Sequence, residues 1–444
     1  MERPNQRTLA KILLVAEAFF GGFYVSITRG LFVPMMAYSG YRLDALSAVL
    51  APTGLGGILL AHELYRNPRR VTGRFRALLL TAHVAERVLW LLPPLLLSNP
   101  YLLSADYLAG NIVSVLVSMS LGILIYTLFP TREVIEVSVH RSAAGAAASI
   151  LGSLYMTFIT AVQQAPTSYL ISYLTAFLAG LVSSITLLLT PNVPASIQEA
   201  VEAAPPHEEA KIKGSVVFIV LIALFAGSNL VGIAWSPLLK QMDAPVYIPL
   251  ALSVAGNLGG LVGAYFWKSY RGYLVAIAIN AFLTALIPYI PYPPAHVAIS
   301  FMTSLTFTGA NLLGMQVFAE LNERLGRVRA SAFLVSANYA GLLVASLISA
   351  SSILTPFSGL ILAAFLKLIG VLMAMLAIPE TAVIPERRAY EYSRMIYSTS
   401  VLGYTFTVQA SREFFKTSLE ALALAALITL LYVIYRLSWL IVGL

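Results

Sequence analysis

Twelve apolar stretches, each long enough to cross a bilayer as a helix, follow one another along this chain, and every second connection between them is basic. A hydrocarbon core of about 30 Å takes about 20 apolar residues in a helix. The chain is therefore read as an all-α polytopic membrane protein. Only 11% of its residues are charged, and its mean hydropathy is +0.82, so little is left to build anything but spans and short connections.

Spans are expected near 12–35, 45–64, 77–97, 108–129, 143–162 and 169–189, then near 216–239, 247–267, 273–290, 297–318, 330–354 and 360–378. Basic loops stay on the cytoplasmic side of a membrane. One set of connections carries Arg3, Arg7 and Lys11, then Arg66, Arg69, Arg70, Arg74 and Arg76, then Arg132 and Arg141. It continues with Lys211, Lys213, Lys268, Arg271, Arg324, Arg327 and Arg329, whereas the other set offers Arg42 and Lys240. The N-terminus and the central linker are thus expected in the cytoplasm. The net charge of +8 is read as a topology signal that needs no nucleic acid to explain it. The first apolar run is too long for a signal peptide and lacks a small-residue cleavage site, so it reads as a retained helix. With no Cys in the chain, disulfides, thiol catalysis and Cys-ligated metal are excluded.

The polar segment 194–213, with Pro205-Pro206 and mixed charge, separates six spans from six and reads as a cytoplasmic linker. The expected organisation is an N-terminal six-helix bundle over 1–193, the linker, a C-terminal six-helix bundle over 214–380, and a tail over 381–444. That tail is basic, with Tyr390, Tyr392 and Tyr397 interleaved, a composition suited to anionic lipid headgroups. Its apolar stretch 419–441 reads as a thirteenth transmembrane helix or a surface helix. The halves echo each other: Leu55-Gly56-Gly57-Ile58-Leu59-Leu60-Ala61 in the second span matches Leu258-Gly259-Gly260-Leu261-Val262-Gly263-Ala264 in the eighth. Arg141 and Arg329 each open a run of small residues into spans five and eleven.

In its twelve spans, inner linker and repeated halves the chain resembles the major facilitator superfamily, as a divergent member, over about residues 1–380. The family's signature after span two sets a Gly, an Asp four residues later, then a Gly among clustered basic residues. Here Gly57 is followed by Ala61 at the Asp position, with Glu63 two residues on and Arg66, Arg69, Arg70, Gly73 and Arg74 beyond. The basic turn is present and the acidic position is displaced. The corresponding turn of the second half, residues 267–272, is weaker. The resemblance implies a central cavity lined by spans one, four, seven and ten, and a secondary active transporter moving a small solute by alternating access.

Polar groups inside a membrane are costly and face the bundle or a wet cavity. Helical spacing puts Tyr107, Asn111, Ser114 and Ser118 on one face of span four and Ser304, Thr308, Asn311 and Met315 on one face of span ten. Span seven contributes Ser228, Asn229 and Ser236, and span five Ser153, Thr157, Thr160 and Gln164. The plain alternative is hydrogen bonding between packed helices. The candidate substrate-binding residues are Arg29, Asn111, Ser114, Asn229, Thr308 and Asn311. Arg29 on a cavity-lining helix suits an anionic group, its alternative being a side chain that snorkels to the outer interface.

The ionisable residues within the spans are Glu17, Arg29, His83, Glu86, Arg87 and Lys367. Glu86, with His83, is the proton-coupling candidate; a structural ion pair tying span three to a neighbour is the competing account, favoured by the peripheral place of span three in the family. Lys367 in span twelve has the same alternative. Glycines in spans two, five, eight and eleven suit close helix approach and rocking of the halves.

The expected function is a secondary transporter in the plasma membrane, with protons as a candidate coupling ion; the alternative is a lipid scramblase or flippase built on the same bundle. Small solutes and membrane lipids are the expected partners of a monomer, with no cofactor, metal or nucleic acid. The sequence holds no His-Glu-x-x-His pair, Asp-rich diphosphate motif, nucleophile elbow or phosphate loop, so neither an enzyme nor an ATP-driven pump is expected.

Overall fold

Inside hydrocarbon every backbone N–H and C=O needs an internal partner, which a run of apolar residues can supply only as a helix. The computed structural model describes residues 4–72, 75–129, 131–191, 214–267, 270–325, 327–351 and 353–377, and among these there are fourteen α-helices and no strand. The linker 194–213, the tail 381–444 and its stretch 419–441 lie outside the described residues. The chain divides into two units, Met1–Met373 and Ala374–Leu444, and of the second only the end of one helix is described.

The first half runs α1 (Pro4–Tyr38), α2 (Leu43–Arg66), a short α3 (Arg69–Thr72), α4 (Phe75–Leu89), a short α5 (Pro93–Leu96), α6 (Pro100–Leu128), α7 (Thr131–Val162) and α8 (Thr167–Leu188). The second runs α9 (Gly214–Gln241), α10 (Tyr247–Phe266), α11 (Tyr270–Leu286) with a 3-10 turn (Ile287–Tyr289), α12 (Ala295–Leu325), α13 (Arg327–Ala350) and α14 (Pro356–Ala377). Ten of these helices are long and apolar enough to cross a membrane, and the apolar stretch Tyr247–Gly263 of α10 is somewhat shorter. The chain is a multi-pass membrane protein.

The expected third span, 77–97, is broken. Pro93 and Pro94 lack the N–H that would continue the helical ladder, so α4 ends at Leu89 and α5 begins at Pro93 after a turn. Elsewhere helices outrun their apolar windows. The fourth span, expected from 108, starts at Pro100, where the Asn99 side chain accepts from the N–H groups of Tyr101 and Leu102, each at 3.1 Å. The fifth, expected from 143, starts at Thr131, because a helix does not stop where its residues become polar.

The outer faces are apolar and the bundle interior carries the hydroxyls, as a bilayer solvent requires. Leu170, Leu174, Leu178, Ile185 and Leu188 of α8 form an exposed stripe, while Ser168, Ser172, Ser183 and Ser184 of the same helix are buried. Within the first half α1 packs on α7 and α8, α4 on α6 and α8, and α2 on α6; within the second α9 packs on α13, and α12 on α10 and α11. Two seams join the halves, α2 with α13 and α7 with α10.

The repeated glycines occupy matched places in this packing. Gly56 of α2 faces Leu108 of α6, and Gly259 of α10 faces the backbone of Phe301 in α12, each within its own half. Gly57 admits the ring of Tyr339 from α13, and a Cβ at Gly54 would stand 2.7 Å from the Leu343 backbone. Tyr339 Oη then reaches across the seam to donate to the Asn111 carbonyl at 3.3 Å.

Gly57→Ala is expected to lower the thermal unfolding midpoint, overpacking of this kind costing about 1–3 kcal/mol. Adding Tyr339→Ala should remove the clash, so that the double variant is less destabilised than the sum of the two single ones. Thermal unfolding of the three variants in detergent reads both effects.

Candidate functional site

A cavity of about 1140 Å³ lies between the halves, lined from α1, α7, α9, α10 and α12. Ser138, Ser236, Asn257, Thr308 and Asn311 furnish polar lining, and Trp235 and Phe307 furnish aromatic walls. A second cavity of about 430 Å³ lies between α6 and α13, with Ser114, Ser118, Asn338 and Tyr339 in its wall. Arg29 lines both and, among the described residues, is the one charged residue lining either.

One end of the space is shut by contacts between the halves. Tyr38 Oη donates to the Ala244 carbonyl at 2.6 Å, and Lys240 Nζ donates to the Ala37 carbonyl at 2.7 Å. Lys240, an exception to the basic-loop pattern, therefore caps the last turn of α1. Toward the other end the lining continues to Val134 and Ser138 near the start of α7 and to Val328 and Ser331 near the start of α13. At that end Glu63 holds Arg70 Nε at 3.0 Å and accepts from Asn67 at 2.8 Å, so the displaced acidic residue, in the last turn of α2, does engage the basic turn.

Behind Arg29 a chain of buried charges threads the first half. Arg29 Nη2 meets Glu86 Oε1 at 3.5 Å, and the other oxygen of Glu86 takes Arg87 Nη1 at 2.6 Å. Ser114 of α6 donates its hydroxyl to Glu86. Arg87 Nη2 donates to His83 Nε2 at 2.9 Å, and His83 Nδ1 lies 2.8 Å from Ser184 Oγ. A guanidinium can only donate, so His83 Nε2 accepts, and the ring is neutral with its proton on Nδ1. Beyond it Glu17 stands 3.4 Å from His83 and pairs with Arg141 of α7 at 2.6 Å. Five helices are thus tied together: α1, α4, α6, α7 and α8.

The sequence makes room for this chain. Glu86 and Arg87 are 3% exposed, and His83 is fully buried one turn earlier on the same helix. Gly180 of α8 leaves the space that the Arg87 side chain fills, since a Cβ there would lie 2.6 Å from Arg87 Cδ. The Arg87 guanidinium lies over the Tyr24 ring at 4.1 Å, and Tyr24 Oη donates to the Glu86 carbonyl at 3.0 Å. Toward the closed end, Phe32, Trp90 and Tyr107 form an aromatic trio, with Phe32 stacked on Tyr107 at 4.4 Å. Trp90 also lies 5.9 Å from the Arg29 guanidinium carbon.

The remaining candidates divide by where their side chains turn. Thr308 and Asn311 line the larger cavity, with Ser304 beside them, and Ser114 lines the smaller. Asn111 and Asn229 instead donate to carbonyls of their own helices, Tyr107 at 2.8 Å and Phe225 at 2.9 Å, and line neither cavity. Thr157 and Thr160 likewise bond back to their own helix. Ser153 is buried and accepts from Asn257 of α10 at 2.9 Å, a polar tie across the second seam. The side chain of Met315 lies outside the described residues. Lys367 is buried in α14 and donates to Asn280 Oδ1 at 2.7 Å and Thr284 Oγ1 at 3.0 Å, tying α14 to α11.

Sequence reasoning missed four features. Spans five and eight line the larger cavity through Ser138, Ser142, Ser253 and Asn257; Ser138 and Ser142 precede the expected start of span five at 143, and Ser253 and Asn257 are a single polar pair four positions apart in span eight. Arg141, assigned to topology alone, is mostly buried on Glu17. Arg76, likewise, donates to the Pro191 and Thr190 carbonyls at the end of α8. Asp106 is 8% exposed inside α6, and it escaped notice because the expected span began two residues later.

No family profile matches the sequence, and no curated protein does. Solved structures match the fold. The nucleoside transporter NupG is 13% identical with a TM-score of 0.60, covering 83% of this chain and 99% of its own. A D-xylose-proton symporter is 15% identical with a TM-score of 0.60, covering 85% and 98%. A bacterial homologue of the human drug peptide transporters is 12% identical with a TM-score of 0.55, covering 87% and 100%.

Removing one member of a buried ion pair leaves the other charge stranded, at a cost of about 3–5 kcal/mol, whereas replacing both with apolar groups is often neutral. Glu17→Ala is therefore expected to be strongly destabilising, and Glu17→Leu with Arg141→Met to recover most of the loss. Thermal unfolding of the single and double variants decides it.

Proposed function

On a fold that is that of the major facilitator superfamily, we propose that this chain is a secondary active transporter that moves a small solute by alternating access. The observation that carries the reading is the cavity between the halves, shut at one end by Tyr38 and Lys240 and lined through to the other, with Arg29 as the one charged residue in its lining among those described. The solute occupies this cavity, with Arg29, Ser114, Thr308 and Asn311 among its contacts. The expected orientation puts the closed end outside and the open end, beside the basic loops, in the cytoplasm, so the described state is inward-open in a plasma-membrane protein.

Transport requires the solute to bind differently to two states of similar free energy. The two seams suit such an exchange. They are built largely from small residues and long-range single hydrogen bonds, such as Tyr339 to Asn111 and Asn257 to Ser153, rather than from ion pairs. The first half, laced by its buried charges, moves as a block.

Proton coupling would run through Glu86, the one carboxylate among the described residues that touches a cavity-lining side chain by an ion pair with Arg29. The groups facing it are Arg29 of α1, Arg87 of its own helix and Ser114 of α6, with His83 reached through Arg87. When Arg29 turns to a solute, its contact with Glu86 is the one that opens, while Arg87 and Ser114 stay on the carboxylate. Lipids are the surrounding solvent in this reading, and no chemistry on the solute is involved.

Solute counterflow in liposomes holding the purified protein is the test. Asn311→Ala is expected to weaken solute affinity several-fold with little change in thermal unfolding, because its side chain is exposed in the cavity. Movement of lipid between leaflets with no counterflow of any solute would replace this reading with a scramblase.

A further inference from the structure

The charge balance beside the cavity names a class of solute, on the premise that the cavity is the solute site. The buried chain of the first half holds three guanidinium groups, Arg29, Arg87 and Arg141, against two carboxylates, Glu17 and Glu86, with His83 neutral. Arg141 pairs with Glu17 at 2.6 Å and Arg87 with Glu86 at 2.6 Å, so one positive charge is left over. It belongs to Arg29, whose contact with Glu86 is the longest at 3.5 Å. Among the described residues that contact is the only hydrogen bond Arg29 makes, and its other N–H donors have no partner. Its side chain is 44% exposed, against 3% for Arg87 and 13% for Arg141.

The second half adds an amine rather than a carboxylate to this region. Lys367 is buried among Asn280 and Thr284, and its Nζ lies 5.7 Å from the ring of Phe307, which lines the larger cavity. Among the described residues it has no carboxylate in ion-pair range. No Asp or Glu among the described residues lines either cavity. A guanidinium that faces the cavity with most of its N–H donors free, and with no carboxylate beside it on the cavity side, is open to a ligand of opposite sign.

We infer that the cavity binds a small organic oxyanion, a carboxylate or a phosphate ester, whose charged group seats on Arg29. The guanidinium is held from behind by Glu86 and flanked by Trp90, which leaves its free edge for two parallel hydrogen bonds to an oxyanion. The apolar walls from Val33, Trp235, Leu252 and Phe307 take the organic body, and Ser304, Thr308 and Asn311 take its neutral polar groups. A cationic solute would meet Arg29 as a like charge. A neutral one would leave the surplus charge unmatched.

The experiment measures binding by tryptophan fluorescence, to which Trp90 and Trp235 report, with the full chain in nanodiscs of zwitterionic lipid. The probes are benzoate, phenyl phosphate and citrate against benzamide and benzylamine, each followed by counterflow in liposomes. The anions are expected to bind and the amide and amine not to. Arg29→Gln should weaken the anions roughly ten- to a hundredfold, the scale of losing a charge-assisted hydrogen bond at a desolvated site. Arg29→Lys, which keeps the charge and loses the fork, should fall between and guards against misfolding as the cause. Nanodiscs containing phosphatidylglycerol separate the two sources of oxyanion: unchanged anion affinity supports a solute, and competition by the lipid overturns it in favour of a headgroup. Equal binding of benzamide or benzylamine, or anion binding unmoved in Arg29→Gln, overturns the anion class, and counterflow of a neutral solute would then leave the carrier reading intact. Arg29-dependent anion binding without counterflow keeps the anion site and removes the carrier.

Discussion

Charge pairing away from water organises the first half of this protein. Glu86 sits where a carboxylate would be prohibitive alone, and it is held by Arg87, by Ser114 and by Arg29. Each of those partners lies on a helix that must be in place for the pairing to exist, so the register of α1, α4 and α6 is fixed by one carboxylate. Arg87 extends the constraint to His83 and Gly180 of α8, and Glu17 extends it to Arg141 of α7. The apolar faces of these helices would pack in many registers; the ions accept one.

The second half is built on a different chemistry. Among the described residues its polar interior combines hydroxyls and amides with the His296 ring and the Lys367 amine: Asn280 bonds the Thr303 carbonyl and Thr306, and Trp235 Nε1 donates to His296 Nδ1 at 3.0 Å. Such bonds are worth little individually in a membrane, about 0.6 kcal/mol on average. The halves therefore differ in stiffness. The cavity lies where the ion-laced half, ending in Arg29, meets the hydroxyl-lined faces of α10 and α12. In the proposed carrier, the first surface would hold the solute's anchor steady and the second would shift around it.

Much of the fold was legible in the sequence, because hydropathy and loop charge are written residue by residue. The order of the long apolar segments, the matched glycines at 56 and 259, and the small-residue seams follow from local pattern; the count does not, since twelve full spans were expected and ten of the described helices are long and apolar enough to cross. Arg29, Ser114, Thr308 and Asn311 were legible as polar positions on expected cavity helices, and they line the cavities. What local pattern did not carry was partnership. Arg141 and Arg76 lie in basic connections that topology explains fully, and only the tertiary packing puts Glu17 and the end of α8 beside them. Asn111 and Asn229 have the same composition and spacing as Asn311, yet their amides fold back onto their own helices, a rotamer choice that no periodicity encodes. The break at Pro93 was visible as two prolines and still read as span, because the apolar run continues through it.

In the proposed transport cycle the two halves rock about the cavity that Arg29 lines. The absence of native cysteine makes spin labelling direct, with label pairs placed by substitution at Arg42 and Asp243 for the closed end and at Val139 and Val262 for the open end. Pulsed electron–electron distance measurements in nanodiscs, with and without transported solute, should give opposed shifts, the first pair separating in the population in which the second pair approaches. A single narrow distance at both ends, unmoved by any solute that binds, would contradict alternating access in this protein.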